Sequence, residues 1–139
     1  MNAKVFLDTN IIVYAYDAGH REKQNIAQTI LFESIENETG IVSVQVLGEF
    51  FTVVTGKIKQ PMPVVEAANI IELLCIMNIV DIDASLVRRA LDAVATYQIS
   101  YWDSLIIAAA ERSGCRHIYS EDLNHNQLYY DVQVVNPFI

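Results

Sequence analysis

The sequence is poor in the residues that mark unusual protein classes. Its 139 residues include only two cysteines, five glycines and three prolines, and no repeat or low-complexity segment. The two cysteines lie far apart in apolar helical patterns, which predicts buried, reduced thiols rather than a disulfide framework. No apolar run approaches the length of a membrane span, and Asp8 interrupts the first one before it reaches the length of a signal peptide. We therefore expect a cytoplasmic protein with no membrane segment.

Positive charge is also scarce. Nine Lys and Arg residues stand against seventeen Asp and Glu residues, which gives a formal net charge of −8. This balance argues against a protein that coats nucleic acid by neutralising its phosphates. It does not exclude nucleic acid as a substrate, because carboxylates that hold divalent cations add negative formal charge that the bound metal offsets.

Hydrophobic residues, in contrast, make up 53% of the chain, which is more than a lone soluble domain needs. The length fits one domain with a core of its own, spanning residues 1–139. The hydrophobic surplus predicts an interface with a second subunit or a partner.

Short apolar strands alternate with helical patterns along the chain. The predicted strands are 5–7, 41–43, 79–82, 117–119 and 132–135, and the predicted helices are 9–16, 21–37, 44–57, one beginning after Pro63, one beginning after Asp83, and 102–113. Ser43 and Asp83 are the predicted N-caps of their helices. This alternation predicts an α/β fold, a three-layer α/β/α sandwich around a mainly parallel central sheet of four or five strands.

Four acids stand in apolar surroundings, where a carboxylate is costly to bury. Asp8 and Asp122 each follow a predicted strand, whereas Glu49 and Asp103 lie within apolar helical segments. Ligands of open α/β sheets bind beyond the carboxyl ends of the strands, so Asp8 and Asp122 share one edge. If the two helices cross that edge, four carboxylates converge, and their repulsion requires bound cations.

Oxygen ligands without nearby Cys or His are the chemistry of Mg²⁺ or Mn²⁺. Such ions stabilise the attacking and leaving oxygens of an in-line displacement. The reaction that the four acids indicate is therefore hydrolysis of a phosphodiester.

Each acid taken alone has an ordinary alternative explanation. Asp8 or Asp103 would suit the N-terminus of a helix as a cap. Glu49 has no cap to serve, because it lies in the middle of its helix. Thr9 and Asn10 are ordinary residues for the start of a helix, and Ser120 is an ordinary turn residue.

Five segments of the chain together resemble a PIN-domain nuclease of the VapC toxin type. They are Leu7-Asp-Thr-Asn10, Val46-Leu-Gly-Glu-Phe50, Tyr101-Trp-Asp-Ser-Leu-Ile-Ile-Ala108, Tyr119-Ser-Glu-Asp-Leu123 and Val134-Val-Asn-Pro-Phe138. The resemblance spans essentially the whole chain, and the acids occur in the order and context of that family. It implies a metal-dependent endoribonuclease that uses Mg²⁺ or Mn²⁺ on an RNA substrate. It also implies the toxin role in a toxin–antitoxin pair, a cognate antitoxin as partner, and a homodimer.

The resemblance further implies roles for individual residues. Asp8, Glu49, Asp103 and Asp122 would bind the metal and act in catalysis. Thr9 and Asn10 would orient Asp8 and the floor of the pocket, and Ser120 would bond a metal-bound water or the region of Asp122.

Two positions near the last acid need a choice or depart from the family pattern. Glu121 is adjacent to Asp122 and competes for its role, but the family pattern of a hydroxyl residue, any residue and Asp selects Asp122. Asn126 stands where glycine is common in the family. Since Asn tolerates left-handed backbone, we expect this turn to be kept.

Other residues with chemical potential receive ordinary interpretations. The three histidines do not have the spacing of a metal site. Trp102, Phe50 and Phe51 lie in apolar helical runs, which favours core or interface packing over base stacking. The basic residues Lys57, Lys59, Arg88 and Arg89 are interpreted as solvated faces. Some of these basic residues could guide RNA, but the sequence does not select them.

Two other functions remain open from sequence. Asp8 could be the nucleophile of a phosphatase or phosphotransfer domain, although a second Asp two residues later is missing. The chain could instead be a non-enzymatic interaction module that binds a partner through exposed apolar surface.

Overall fold

Strands and helices alternate along residues 3–139, the part of the chain that the computed structural model describes. The strands are β1 (Val5–Leu7), β2 (Gly40–Ser43), β3 (Asn78–Val80), β4 (His117–Tyr119), β5 (Leu128–Tyr129) and β6 (Val132–Val135). The helices are α1 (Thr9–Ala15), α2 (Arg21–Glu36), α3 (Val44–Gly56), α4 (Val64–Leu74), α5 (Ala84–Tyr97) and α6 (Tyr101–Arg112). The predicted α/β class is confirmed.

The strands form one sheet in the order β3-β2-β1-β4-β6-β5. All neighbouring pairs are parallel except β5 and β6, which are antiparallel. The prediction of a mainly parallel sheet is confirmed, but the sheet has six strands rather than four or five. The additional strand is β5, whose two residues are too few to produce a periodic pattern in the sequence.

Helices cover both faces of this sheet. The chain passes from β1 to β2 to β3 in one direction and then crosses back to β4 on the other side of β1. Right-handed crossovers therefore place α1 to α4 on one face and α5 with α6 on the other. The helices pack accordingly: α1 contacts α2 and α3, α3 contacts α4, and α5 contacts α6.

The reversal of direction between β1 and β4 makes the centre of the sheet a topological switch point. At such a point, the loops that leave adjacent strands separate and open a crevice beyond the carboxyl ends. The register aligns Leu7 with Tyr119, so the residues that follow β1 and β4 begin at the same level.

The helix N-caps and one left-handed turn residue agree with the sequence predictions. The Oγ atom of Ser43 accepts from the backbone N–H of Val46 at 3.4 Å, and Asp83 Oδ1 accepts from that of Leu86 at 2.8 Å. Both predicted N-caps are confirmed. Asn126 has φ of +70°, in the left-handed region that the sequence predicted this residue to tolerate.

The prediction of two buried thiols is half wrong. Cys115 is buried, but Cys75 is exposed. Cys75 is the C-cap of α4, and its side chain faces solvent at the end of that helix although the preceding residues have a buried face. Within residues 3–139, no helix combines the length and apolar character that crossing a membrane requires.

Candidate functional site

A cavity of about 1030 Å³ lies at the carboxyl edge of the sheet, between α1, α3 and the start of α6. The four acids selected from the sequence all line it: Asp8, Glu49, Asp103 and Asp122. Their positions along the chain are far apart, and the switch point and the two helices bring them to one place. The structure therefore brings all four acids to the lining of one cavity.

Asp8 lies at the buried end of the cavity, with 6% of its surface exposed. It is the N-cap of α1, and its Oδ1 atom accepts from the backbone N–H of Thr9 at 2.7 Å. The second oxygen, Oδ2, accepts from the hydroxyl of Ser120 at 2.7 Å. The helix-cap interpretation is therefore correct for one oxygen of Asp8 and does not account for the other.

Burial raises the pKa of Asp8 to about 6, because a charged carboxylate loses its hydration there. The hydrogen bonds from Ser120 and Thr9 oppose this shift, whereas the negative charges of Asp122 and Glu49 add to it. The fold thus opposes the ionisation of Asp8.

Glu49 approaches from α3 and is half-buried. Its Oε1 atom accepts from the hydroxyl of Thr9 at 2.7 Å. The sequence predicted that Thr9 orients Asp8 and the floor of the pocket, and it did not predict a contact with Glu49. In the structure, the backbone of Thr9 holds Asp8 and its side chain holds Glu49, so one residue sets the spacing of two carboxylates.

Asp103 and Asp122 complete the acidic lining. Asp103 lies in the first turn of α6 and is not its cap, because Ser100 fills that role and accepts from the N–H of Asp103 at 3.1 Å. Burial raises the pKa of Asp103, and the negative charges of Asp122 and Glu49 contribute. Asp122 is exposed at the mouth of the cavity.

Asn10 and Ser120 link the acids that follow β1 and β4. The Nδ2 atom of Asn10 donates to Asp122 Oδ2 at 3.2 Å and lies 3.5 Å from Asp8 Oδ2. The hydroxyl of Ser120, which donates to Asp8, accepts from the backbone N–H of Asp122 at 3.1 Å. Each residue therefore contacts the acid that it was predicted to contact, Asp8 for Asn10 and Asp122 for Ser120, and each also contacts the other acid, which was not predicted.

Glu121 points away from the cavity. Its Oε1 atom accepts from the hydroxyl of Tyr14 at 2.7 Å, and its other oxygen pairs with the ammonium group of Lys23. Its side chain is thus occupied elsewhere, which favours Asp122 as the acid of this turn.

Gln45 is a member of the site that sequence analysis missed. Only 8% of it is exposed, and its Nε2 atom donates to the carbonyl oxygen of Trp102 at 3.1 Å and lies 3.5 Å from Glu49 Oε2. The signal was present, because Gln45 precedes Glu49 by four positions and so shares its helix face. Gln45 connects α3, which bears Glu49, to α6, which bears Asp103.

We expect Gln45→Ala to lower the free energy of unfolding by about 0.5–1.5 kcal/mol, because it removes a buried hydrogen bond that joins α3 to the carbonyl of Trp102 in α6. Urea denaturation measures this loss. Gln24→Ala is the matched control, since it removes a more exposed helical amide that lies 3.5 Å from a carbonyl oxygen. Equal losses in both variants would contradict a special role for Gln45.

Trp102 differs from its predicted environment. Phe50 is buried as predicted, but 60% of Trp102 is exposed, and its side chain lines the cavity beside Asp103. Its ring makes an edge contact with Tyr101 at 5.0 Å between centroids. Of the two predicted environments, core packing is wrong for Trp102, because the first turn of α6 projects into the cavity; interface packing stays a prediction.

The carboxylate lining fits a hydrated Mg²⁺ or Mn²⁺ ion. Both ions prefer oxygen ligands, and Mg²⁺ usually keeps several waters while binding one or two carboxylates directly. Among residues 3–139, no three Asp, Glu, His or Cys side chains are grouped closely enough to enclose a metal ion by themselves.

The chain matches a described protein family over most of its length. A family model described as PIN domain matches residues 5–129. No curated protein is similar enough in sequence to be matched.

Several solved structures are similar to this chain. VapC20 of Mycobacterium tuberculosis, a toxin that cleaves the sarcin–ricin loop, has 20% identity and a TM-score of 0.70 over 86% of this chain and 90% of that chain. A toxin–antitoxin complex from Klebsiella pneumoniae contributes a chain with 17% identity and a TM-score of 0.69, over 97% of this chain and 98% of that one. VapBC2 from Rickettsia felis, bound to a DNA fragment from its promoter, has 23% identity and a TM-score of 0.61, over 85% of this chain and 87% of that chain. At these identities the likeness concerns the fold.

Proposed function

This chain belongs to the PIN-domain family, and from that premise we propose that it is a metal-dependent endoribonuclease that hydrolyses RNA phosphodiester bonds with Mg²⁺ or Mn²⁺. The strongest support is that Asp8, Glu49, Asp103 and Asp122 line one cavity. A cation bound among these carboxylates would offset the repulsion between their negative charges.

The four acids would hold the metal and would accept protons during hydrolysis. A bound divalent cation supplies positive charge against the phosphate and activates water for attack. Thr9 holds Glu49, Asn10 holds Asp122, and Ser120 holds Asp8. Because these hydrogen bonds already fix the carboxylates, little reorganisation is needed when the cation and the phosphate bind.

The Asp8-dependent phosphotransfer alternative receives less support. The second Asp that such domains carry two residues after the nucleophile is absent, because Asn10 stands at that position. The non-enzymatic alternative differs from the proposal in its response to metal, because a binding-only module has no reason to gain stability from Mn²⁺.

A cleavage assay with single-stranded RNA tests the proposal. We expect cleavage with Mg²⁺ or Mn²⁺ and none with EDTA, and we expect Asp103→Asn to lower the rate by about 100-fold or more. The matched control is Asp81→Asn, because Asp81 follows β3 at the same edge of the sheet and does not line the cavity. Cleavage that persists in EDTA, or an equal loss in both variants, would contradict the proposal.

We assign the enzyme the toxin role of a toxin–antitoxin pair, with a cognate antitoxin as partner, a homodimeric state and a cytoplasmic location. Support comes from the likeness over nearly the full chain to a component of the Klebsiella pneumoniae complex. Exposed apolar side chains on and just after α4, including Val65, Leu73 and Ile76, offer a surface for assembly. Co-expression with the product of the adjacent reading frame tests this role, and active enzyme that neither binds nor is inhibited by that product would contradict it.

A further inference from the structure

The cavity continues beyond the carboxylates along α3. Gln45 and Trp102 line its first part, Glu49 follows, and Lys57 and Lys59 line its other end. Gln45 and Lys57 are twelve positions apart, which in a helix at about 1.5 Å per residue is about 18 Å. A stacked nucleic-acid strand advances about 3.4 Å per nucleotide, so this groove has room for several nucleotides.

Lys57 and Lys59 supply the ammonium groups of the groove. Three other basic side chains pair with acids: Lys23 with Glu121, Arg89 with Glu111, and Arg112 with Asp83. Lys4, Arg21, Arg88 and Arg116 do not line the cavity. Within residues 3–139, Lys57 and Lys59 make no ion pair or side-chain hydrogen bond, and both are exposed. The facing wall holds Asp17 and His20, which lie 4.0 Å apart from Oδ2 to Nε2.

The segment that carries the two lysines is held against α3. Its central residue, Ile58, packs on the hydrophobic core, and the backbone N–H of Ile58 donates to the carbonyl of Val53 at 3.2 Å. The N–H of Met62 donates to the carbonyl of Val54 at 2.9 Å. The lysines therefore extend from an anchored backbone at a defined end of the groove.

Trp102 marks the other end. It is a large apolar side chain with 60% of its surface exposed, immediately before Asp103. Its backbone is fixed by the hydrogen bond from Gln45. An exposed indole beside a phosphate-binding site suits base stacking, which is sequence-tolerant and contributes about 1–3 kcal/mol per base.

We propose that single-stranded RNA lies along α3, with an unpaired base stacked on Trp102, the scissile phosphate at the carboxylates, and further phosphates on Lys57 and Lys59. This inference rests on the proposed ribonuclease function and adds the residues that bind the RNA on either side of the carboxylates and the direction in which it lies. Stacking on Trp102 requires an unpaired base, so duplex RNA is not expected to bind in this arrangement.

Fluorescence anisotropy with a labelled single-stranded RNA of mixed sequence tests the inference. Binding is measured with Mg²⁺ in an Asp103→Asn background, where cleavage is suppressed, over a range of salt concentrations. For the double variant Lys57→Ala/Lys59→Ala, we expect the slope of log affinity against log salt to fall by about 1.4, since each phosphate contact to a single strand contributes about 0.7. Arg88→Ala/Arg116→Ala removes equal charge outside the cavity and is expected to leave the slope unchanged.

Trp102→Ala is expected to weaken binding by about 5- to 150-fold with no change in the salt slope, and Trp102→Phe to restore most of the loss. Phe32→Ala is the matched control, because Phe32 is an aromatic residue 54% exposed on α2 that does not line the cavity. A slope change as large in the arginine variant, or binding unchanged by Trp102→Ala, would overturn the inference.

Cleavage of the same RNA by the wild-type protein separates this inference from the proposed function. If the wild type cleaves and the lysine and tryptophan variants bind like their parent, the groove assignment alone is wrong. If the wild type does not cleave but the variants lose affinity as expected, the ribonuclease proposal is wrong and the groove stands as an RNA-binding site.

Discussion

Replacing Asp8 with Asn is expected to abolish RNA cleavage while making the metal-free protein more stable. Asn has nearly the shape of Asp but carries no negative charge, so the cation loses a ligand and the rate is expected to fall by about 1000-fold. The same change removes a buried charge that the fold opposes. The pKa of Asp8 is raised by burial from 3.8 to about 6, so its ionisation at pH 7 costs up to about 3 kcal/mol.

The stability gain is expected to be somewhat smaller than that upper value, between about 1 and 3 kcal/mol. In the Asp8→Asn variant, the side-chain oxygen keeps the bond from the N–H of Thr9, but the new amide nitrogen faces the hydroxyl of Ser120. That hydroxyl already accepts from the N–H groups of Asp122 and Leu123, at 3.1 and 3.4 Å. Part of the electrostatic gain is therefore offset by a poorer hydrogen bond.

Urea denaturation in EDTA measures the stability of the Asp8→Asn variant, and the RNA assay measures its activity. Asp81→Asn is again the control and is expected to change neither quantity. Wild-type cleavage by Asp8→Asn would contradict the role of Asp8, and a loss of stability at pH 7 would contradict the electrostatic strain inferred at this position.

Relative to Asp8→Asn, the metal-free wild-type protein is also expected to lose stability as the pH rises from about 4 to above 6. The folded-state pKa of Asp8 lies above its unfolded value of 3.8, so the native state binds more protons than the unfolded state in this range. Stability then falls with rising pH, and the contribution of Asp8 is complete below about pH 4 and lost above its folded pKa. Burial also raises the pKa of Asp103, which acts in the same direction.

A divalent cation is expected to reverse this loss at pH 7. Binding that occurs only in the native state stabilises it by about 2.7 kcal/mol when the ion is present at 100 times its dissociation constant. Thermal unfolding of the wild type and of Asp8→Asn, in EDTA and in Mn²⁺, measures both effects. The variant is expected to show a flatter pH dependence and a smaller response to Mn²⁺, and identical curves for the two proteins would contradict the site.

The sequence was informative where a residue conflicts with its neighbours. Asp8 interrupts an apolar run, and Glu49 lies in the middle of an apolar helix, so each was recognisable without coordinates. The hydrogen bond from Thr9 to Glu49 was not predictable in this way. It joins residues that are forty positions apart, and no local pattern encodes such a pairing.

Trp102 illustrates a different limit. Residues 104–110 of α6 are all buried, so the helix has no polar face whose periodicity would show which way its first turn points. Only the position of α6 over the carboxyl edge of the sheet exposes Trp102. For the same reason the sequence could not show which basic residues are available to bind RNA. Their availability depends on ion pairs between separate elements, such as that of Arg89 with Glu111.

The most direct test of the carboxylate site is a calorimetric titration of Mn²⁺ into the wild-type protein at pH 6, repeated in buffers of different ionisation enthalpy. Because the pKa of Asp8 is about 6, metal binding is expected to displace a proton from part of the molecules, so the measured heat depends on the buffer. This dependence is expected to disappear at pH 8 and to persist at pH 6 in Asp81→Asn. Absence of Mn²⁺ binding by the wild type, or binding of equal affinity by Asp8→Asn, would contradict the proposal that these carboxylates hold a catalytic cation.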